Sequence, residues 1–195
     1  MIGTEIAPGL RRWTAFHPKW KQEVASLAVE TRDGLVLVDP LLGDEEPPEP
    51  AHVVITVHWH VRSTREVAEQ WPATRVWAPE RAGKPLRGHA TATDVYRAGD
   101  ALPGGIQALP TAREAEVVLW LPEHRALAVG DVLLGAKGGG LRLCPRSWLQ
   151  VGVTHEDLAD SLRPLLDLPV ELVLVAHGEP VLEGAPAALR AALAP

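Results

Sequence analysis

The chain has 195 residues, 46% of them hydrophobic and 23% charged, which fits one globular domain, 1–195, and excludes disorder, collagen and coiled coil. Nineteen basic residues against twenty-five acidic ones leave a formal charge of -6, so there is no broad positive field for a phosphate backbone or an anionic bilayer, and neither nucleic acid nor membrane is an expected partner. No apolar run approaches the ~20 residues of a membrane helix. The opening Met1-Ile2-Gly3-Thr4-Glu5-Ile6 lacks the layout of a signal peptide, so the expected location is cytoplasmic. Cys144 is the single cysteine, which excludes an internal disulfide and leaves His and carboxylate as the available metal ligands.

Strands are expected at 10–16, 24–30 and 34–38, the last two separated by the turn residues Arg32-Asp33-Gly34. The run Val53-Val54-Ile55-Thr56-Val57 reads as a strand buried on both faces. Ser63-Thr64-Arg65-Glu66 has the spacing of a capping box and predicts a helix from there to about Trp71, stopped by Pro72. A short strand follows at 75–78, and 79–100 reads as irregular. Strands resume at 106–109, 116–121 and 126–129, the last two forming a hairpin across Pro122-Glu123-His124-Arg125. Gly138-Gly139-Gly140 lacks the order of a phosphate loop and reads as a mobile loop. Thr154 is an expected N-cap for a helix carrying Leu158 and Leu162, cut short by Pro164; an apolar strand at 170–176 and a closing helix at Gly184-Ala185-Pro186 complete the chain. Strand-rich halves, each trailed by helices, predict an α/β fold with a four-layer αββα arrangement.

One regularity concerns chemistry. Four strands end in residues able to bind a metal or position a ligand: Asp39, then His58 and His60, then Asp131, then His177. Ligands of α/β sheets sit beyond the carboxyl ends of strands, where residues distant in sequence can converge. On an extended chain His58 and His60 would share a face, and two His with one Asp form a usual catalytic zinc set that leaves a position for water.

This pattern resembles the metallo-β-lactamase-fold hydrolases, whose signature is His-x-His-x-Asp-His, a lone His before a hairpin, a Gly-Asp and a final His-Gly. Here His58-Trp59-His60-Val61-Arg62-Ser63, Gly130-Asp131 and His177-Gly178 occupy the first, third and fourth motifs, and Asp39 matches the early structural Asp. Arg62, Ser63 and Ala112 stand where that family has metal ligands. Because a guanidinium opposes a nearby divalent ion, the resemblance implies at most one metal, most readily zinc, held by His58, His60, Asp131 and His177, with Asp131 and His177 also serving catalysis. It implies a mononuclear hydrolase of an ester, thioester, lactone or related bond, with Arg62 binding an anionic part of a small-molecule substrate. The alternative is a metal-free, non-catalytic descendant that binds a small anionic ligand or a protein partner, in which Arg62 replaces the lost cation through a bidentate pair with Asp131.

The other features carry blander expectations. His17, His52, His89, His124 and His155 have no partner spacing and are expected to face solvent; Ser63 is expected to act as an N-cap and Cys144 as inert filling. Trp59 is expected to point away from its flanking histidines toward the core. Glu114 could substitute for the missing hairpin ligand but reads as a surface residue, and Arg142, Arg146 and Trp148 fall in a segment that borders the cleft in the resembled family.

Overall fold

The computed structural model describes residues 2–82, 86 and 90–194. His89 lies outside the described residues. The first half of the chain builds a seven-stranded sheet whose order follows the sequence: β1 (Thr4–Ala7), β2 (Leu10–His17), β3 (Gln22–Thr31), β4 (Gly34–Val38), β5 (His52–Val54), β6 (Arg75–Pro79) and β7 (Asp94–Tyr96). Strands β1 to β4 pair antiparallel and β4 to β7 parallel. The second half builds a four-stranded sheet, from β8 (Gln107–Pro110), β9 (Val117–Leu121), β10 (Ala126–Val129) and β13 (Leu172–Val175), in the order β13, β10, β9, β8.

Alternation along the strands assigns each residue to a layer. Val36, Val38 and Val54 of the first sheet meet Leu119, Leu121 and Leu174 of the second in the central core. The opposite faces are covered by helices. Leu37, Val53 and Val76 pack against Val67 of α1 (Thr64–Gln70), while Val118, Leu127 and Val173 pack against Leu158 and Leu162 of α2 (His155–Leu162) and Leu189 of α3 (Ala185–Ala192). Helix, sheet, sheet and helices are the four expected layers. Among the described residues no helix is long and apolar enough to cross a membrane.

Three local expectations are corrected. The strand expected at 53–57 stops at Val54, and the chain turns, with the His60 amide donating to the Val57 carbonyl at 2.8 Å. Ser63 precedes α1 without capping it: its hydroxyl instead accepts the Leu42 amide at 3.2 Å, tying the helix start to the loop after β4. Glycines 138–140 do not form a free loop; they turn a hairpin of β11 (Leu133–Ala136) and β12 (Gly140–Leu143), where positive φ at Gly138 and Gly139 makes the reversal without a Cβ penalty. Thr154, by contrast, caps α2 as expected and forms a capping box with Asp157.

Candidate metal centre

Strand register brings distant residues to one edge. Strands β10 and β13 are parallel with Val129 beside Val175, so Asp131 and His177, each two residues further on, leave the second sheet side by side. Strands β4 and β5 are parallel with Val38 beside Val54, and Asp39 and Thr56 emerge just beyond them. The two sheets are fastened to each other there: the Val117 amide donates to the Thr56 carbonyl at 3.1 Å and the Ala25 amide to the Ala176 carbonyl at 2.8 Å.

Three side chains converge at this seam. His60, Asp131 and His177 are all buried, and each offers a ligand atom within 4.8 Å of the other two. Asp131 Oδ1 lies 3.2 Å from His60 Nε2 and 2.9 Å from His177 Nε2. An ion with N and O ligands at about 2.0–2.2 Å in a tetrahedron spaces its ligand atoms by about 3.3–3.5 Å. The observed spacing is a few tenths of an ångström tighter, so a small opening of the group would admit such an ion.

The orientation of His60 is fixed from behind. Its Nδ1 lies 2.8 Å from Asp39 Oδ2. Asp39 is itself held by the Thr56 amide on Oδ1 at 2.8 Å and the Thr56 hydroxyl on Oδ2 at 2.5 Å. A proton on Nδ1 therefore serves Asp39 and leaves the Nε2 lone pair facing Asp131, the arrangement by which a carboxylate orients a metal-binding imidazole. Neither His60 Nε2 nor Asp131 Oδ1 has an aligned hydrogen-bond partner among the described residues. Two buried lone pairs that face each other require a cation between them, whether a divalent ion or a proton. The donor set thus fits a metal of the zinc type.

The electrostatics follow from the same contacts. Burial and the Arg62 charge push the His60 pKa down, but Asp131 and Asp39 outweigh them and hold it above the ordinary imidazole value. Burial opposes ionisation of Asp131, yet His60 and His177 overcome it and keep that carboxyl well below the usual range. The second oxygen of Asp131 accepts the Trp59 indole N–H at 2.6 Å.

Behind Asp131 stands Glu116, fully buried, which accepts the amides of both Asp131 and Val132 on Oε1 and Arg113 NH1 on Oε2 at 2.7 Å. Burial, reinforced by the Asp131 charge, pushes its pKa up to about 7. Gly130 is a glycine for lack of room: a Cβ there would stand 2.8 Å from Thr56 Oγ1 and 2.9 Å from Glu116 Oε1. Gly135 has the same role near His177. Its amide donates to the His177 carbonyl at 2.9 Å, and a Cβ would fall 2.1 Å from the Glu179 carbonyl oxygen.

The remaining sequence expectations sort themselves against this geometry. His58 stays out of the converging group, because the chain turns at 57–60 instead of running extended; its ring meets Trp59 edge-on at 4.5 Å. Arg62 forms no ion pair with Asp131 and does not line the cleft. It points NH1 into the carbonyls of Ala25 and Asp39, both at 2.7 Å, and so straps β3 to the loop after β4. Both Asp39 and Arg62 adopt left-handed backbone, φ 47° and 44°, a cost these mutual bonds offset. Trp59 faces the site, not the core. Glu114 is exposed and pairs with Arg81 at 2.7 Å.

The four described lone histidines do not simply face solvent. His17 stacks on Trp20 with ring centres 4.0 Å apart, His52 meets Trp77 edge-on, His124 reaches the Pro8 carbonyl and His155 the Cys144 carbonyl. Cys144 is buried and its thiol is pushed up to about 11 by burial, which keeps it protonated and inert.

A cleft of about 610 Å³ opens beside the group, lined by Asp131 and His177 together with Trp20, Gln22, Trp59, Arg113 and Trp148. Its volume suits a small molecule. Of the five walls that are not proposed ligands, only Trp148 is expected at a cleft from the sequence. Trp20 arrives on the turn between β2 and β3, with its ring 5.8 Å from that of His60 and 6.2 Å from that of His177.

No protein-family profile and no curated sequence matches the chain. Solved structures do. A metallo-beta-lactamase family protein of Thermus thermophilus superposes with TM-score 0.70 at 17% identity, covering 97% of this chain and 78% of that one. The metallo-beta-lactamase of Pontibacter korlensis gives 0.69 at 18%, covering 97% of each. The metallo-beta-lactamase FIM-1 of Pseudomonas aeruginosa, in a mono-zinc form, gives 0.70 at 13%, covering 97% and 92%. Likeness at such low identity is likeness of architecture, and together with the two helix-flanked sheets it establishes that this chain has the metallo-β-lactamase fold.

Proposed function

We propose that the protein is a mononuclear metal-dependent hydrolase of a small-molecule ester, thioester, lactone or related bond, with His60, Asp131 and His177 holding one zinc-type ion. The observation that carries this reading is the meeting of His60 Nε2, Asp131 Oδ1 and His177 Nε2 with no aligned hydrogen bond to quench the first two. A bound divalent ion would supply Lewis acidity and an activated water. The chain supplies the rest. Asp39 keeps the His60 lone pair turned inward, Trp59 and Glu116 fix the carboxylate and the backbone of Asp131, and Gly135 holds the His177 carbonyl. His177, at the cleft wall, would hold the ion at the point where a substrate enters.

A second reading is favoured by one observation: both nitrogens of His60 face carboxylates, at 2.8 and 3.2 Å, so a doubly protonated imidazole would also balance the seam and leave a metal-free ligand-binding protein. Elemental analysis of tag-free protein supplied with zinc separates the two. The hydrolase reading expects close to one equivalent, lost together with activity against a panel of esters, thioesters and lactones in His60→Ala and His177→Ala. Less than about a tenth of an equivalent under saturating zinc would reject it.

A further inference from the structure

Beyond bond class, the walls of the cleft carry information about what enters it. Its charged and aromatic groups are arranged together. Arg113 is only 4% exposed, and its guanidinium lies over the Trp59 ring, 4.8 Å from the ring centre. Trp59 is held in turn by its indole bond to Asp131, so the guanidinium plane is fixed in the cleft wall. Glu116 occupies NH1 and Nε is closed off from the cleft, so a ligand there meets the charge and the remaining edge of the guanidinium. Across from it, Trp148 and Trp20 stand about 6 Å from the His177 ring, at 5.9 and 6.2 Å, and give the cleft flat apolar walls next to the proposed reacting centre.

We infer that this cleft receives a flat aromatic compound bearing a free carboxylate, the ring against Trp20 and Trp148 and a carboxylate oxygen on Arg113. This rests on the reading of the cleft as the reaction site, and names the substrate class for it. Trp and Arg suit this task because an indole offers a large rigid face at little entropic cost, and a guanidinium gives a charge-assisted hydrogen bond to a carboxylate oxygen.

The test is isothermal titration of the whole protein, both zinc-loaded and chelator-treated, with 2-naphthoate, its saturated counterpart decahydronaphthalene-2-carboxylate, and naphthalene-2-methanol. The expected result is about tenfold tighter binding of 2-naphthoate than of the saturated acid, from ring stacking. Trp148→Leu, which keeps an apolar side chain at a half-buried position, should bring that ratio close to one. Arg113→Lys should weaken 2-naphthoate by about tenfold and leave the neutral alcohol unchanged, because an ammonium is not held flat over Trp59 in the cleft wall. Equal affinity for the flat and saturated acids, or a ratio that Trp148→Leu does not alter, would overturn the inference, and so would failure of 2-naphthoate to bind in either metal state. These readouts involve no turnover. Naphthoate binding as described by a protein that takes up no zinc would defeat the hydrolase reading alone, whereas full zinc content without ring preference would defeat this inference alone.

Discussion

Replacing Asp39 with Asn probes the site without replacing any proposed ligand. The buried carboxylate accepts three donors, the Thr56 amide, the Thr56 hydroxyl and His60 Nδ1. An asparagine can keep its carbonyl on the Thr56 amide only by turning its NH2 toward Thr56 Oγ1 and His60 Nδ1. The hydroxyl can rotate to accept. The imidazole can accept only by moving its proton to Nε2, which removes the lone pair aimed at Asp131. The opposite flip sets NH2 against a backbone N–H that cannot adapt. Disturbing a carboxylate of this kind costs roughly 10- to 100-fold in metal affinity. At zinc 100 times the wild-type Kd, binding adds about 2.7 kcal/mol to stability, and a 100-fold weaker site would keep only about 0.4 kcal/mol of it. The assay is a chelator-competition titration paired with thermal melts with and without zinc. Asp39→Asn with wild-type affinity and an undiminished zinc-dependent rise in Tm would refute the claim that Asp39 sets the state of His60.

Three further outcomes are expected. In chelator, the protein should be more stable near pH 5 than near pH 8: Glu116, raised from 4.5 to about 7, binds its proton more tightly folded than unfolded, so its contribution is lost as pH rises through that window, and the raised His60 loses its own contribution above its ordinary value. The fall should be on the order of 2 kcal/mol, or about 4–8 °C in Tm, and Glu116→Gln should flatten it; a Tm that rises between pH 5 and 8 would contradict the assignment. Gly135→Ala must displace the Glu179 backbone, so it should cost about 1–3 kcal/mol in denaturant unfolding and weaken zinc uptake, while Gly138→Ala, whose Cβ meets nothing within 4 Å, should change stability without affecting zinc. Arg62→Met removes the donors to Ala25 and Asp39 and should lower stability by about 2–5 kcal/mol with no change in 2-naphthoate affinity; weakened binding at unchanged stability would restore Arg62 as a ligand contact.

The parts of the site legible in the sequence are those that a strand delivers. Asp39, Asp131 and His177 each follow an apolar run, and short continuous apolar runs ending at a polar residue are readable by eye. His60 is legible for a reason that does not hold locally: the pair with His58 requires extended chain, yet the Val57 carbonyl captures the His60 amide and only His60 joins Asp131 and His177. What the sequence hid depends on tertiary burial. Thr-Ala-Arg-Glu-Ala-Glu looks like a solvated approach to a hairpin, but its first and last charges, Arg113 and Glu116, are buried together and only Glu114 is exposed. The i,i+3 spacing of opposite charges between a turn and an apolar strand was the available signal, and surface pairs share it. Trp59 and Arg62 exchanged their expected surroundings for a similar reason. In a tight turn a side chain's direction is set by which carbonyls need donors, and those of Ala25 and Asp39 lie far away in sequence or behind the turn.

Asp39 and His60 come from the seven-stranded layer and Asp131 and His177 from the four-stranded one, so neither half of the polypeptide possesses the chemistry by itself. Anything coordinated at the seam would clasp two independently patterned slabs, and docking them is the same event as assembling the candidate ligand group. Loosening that joint would part the ligand atoms while leaving each slab's own strand pairing in place.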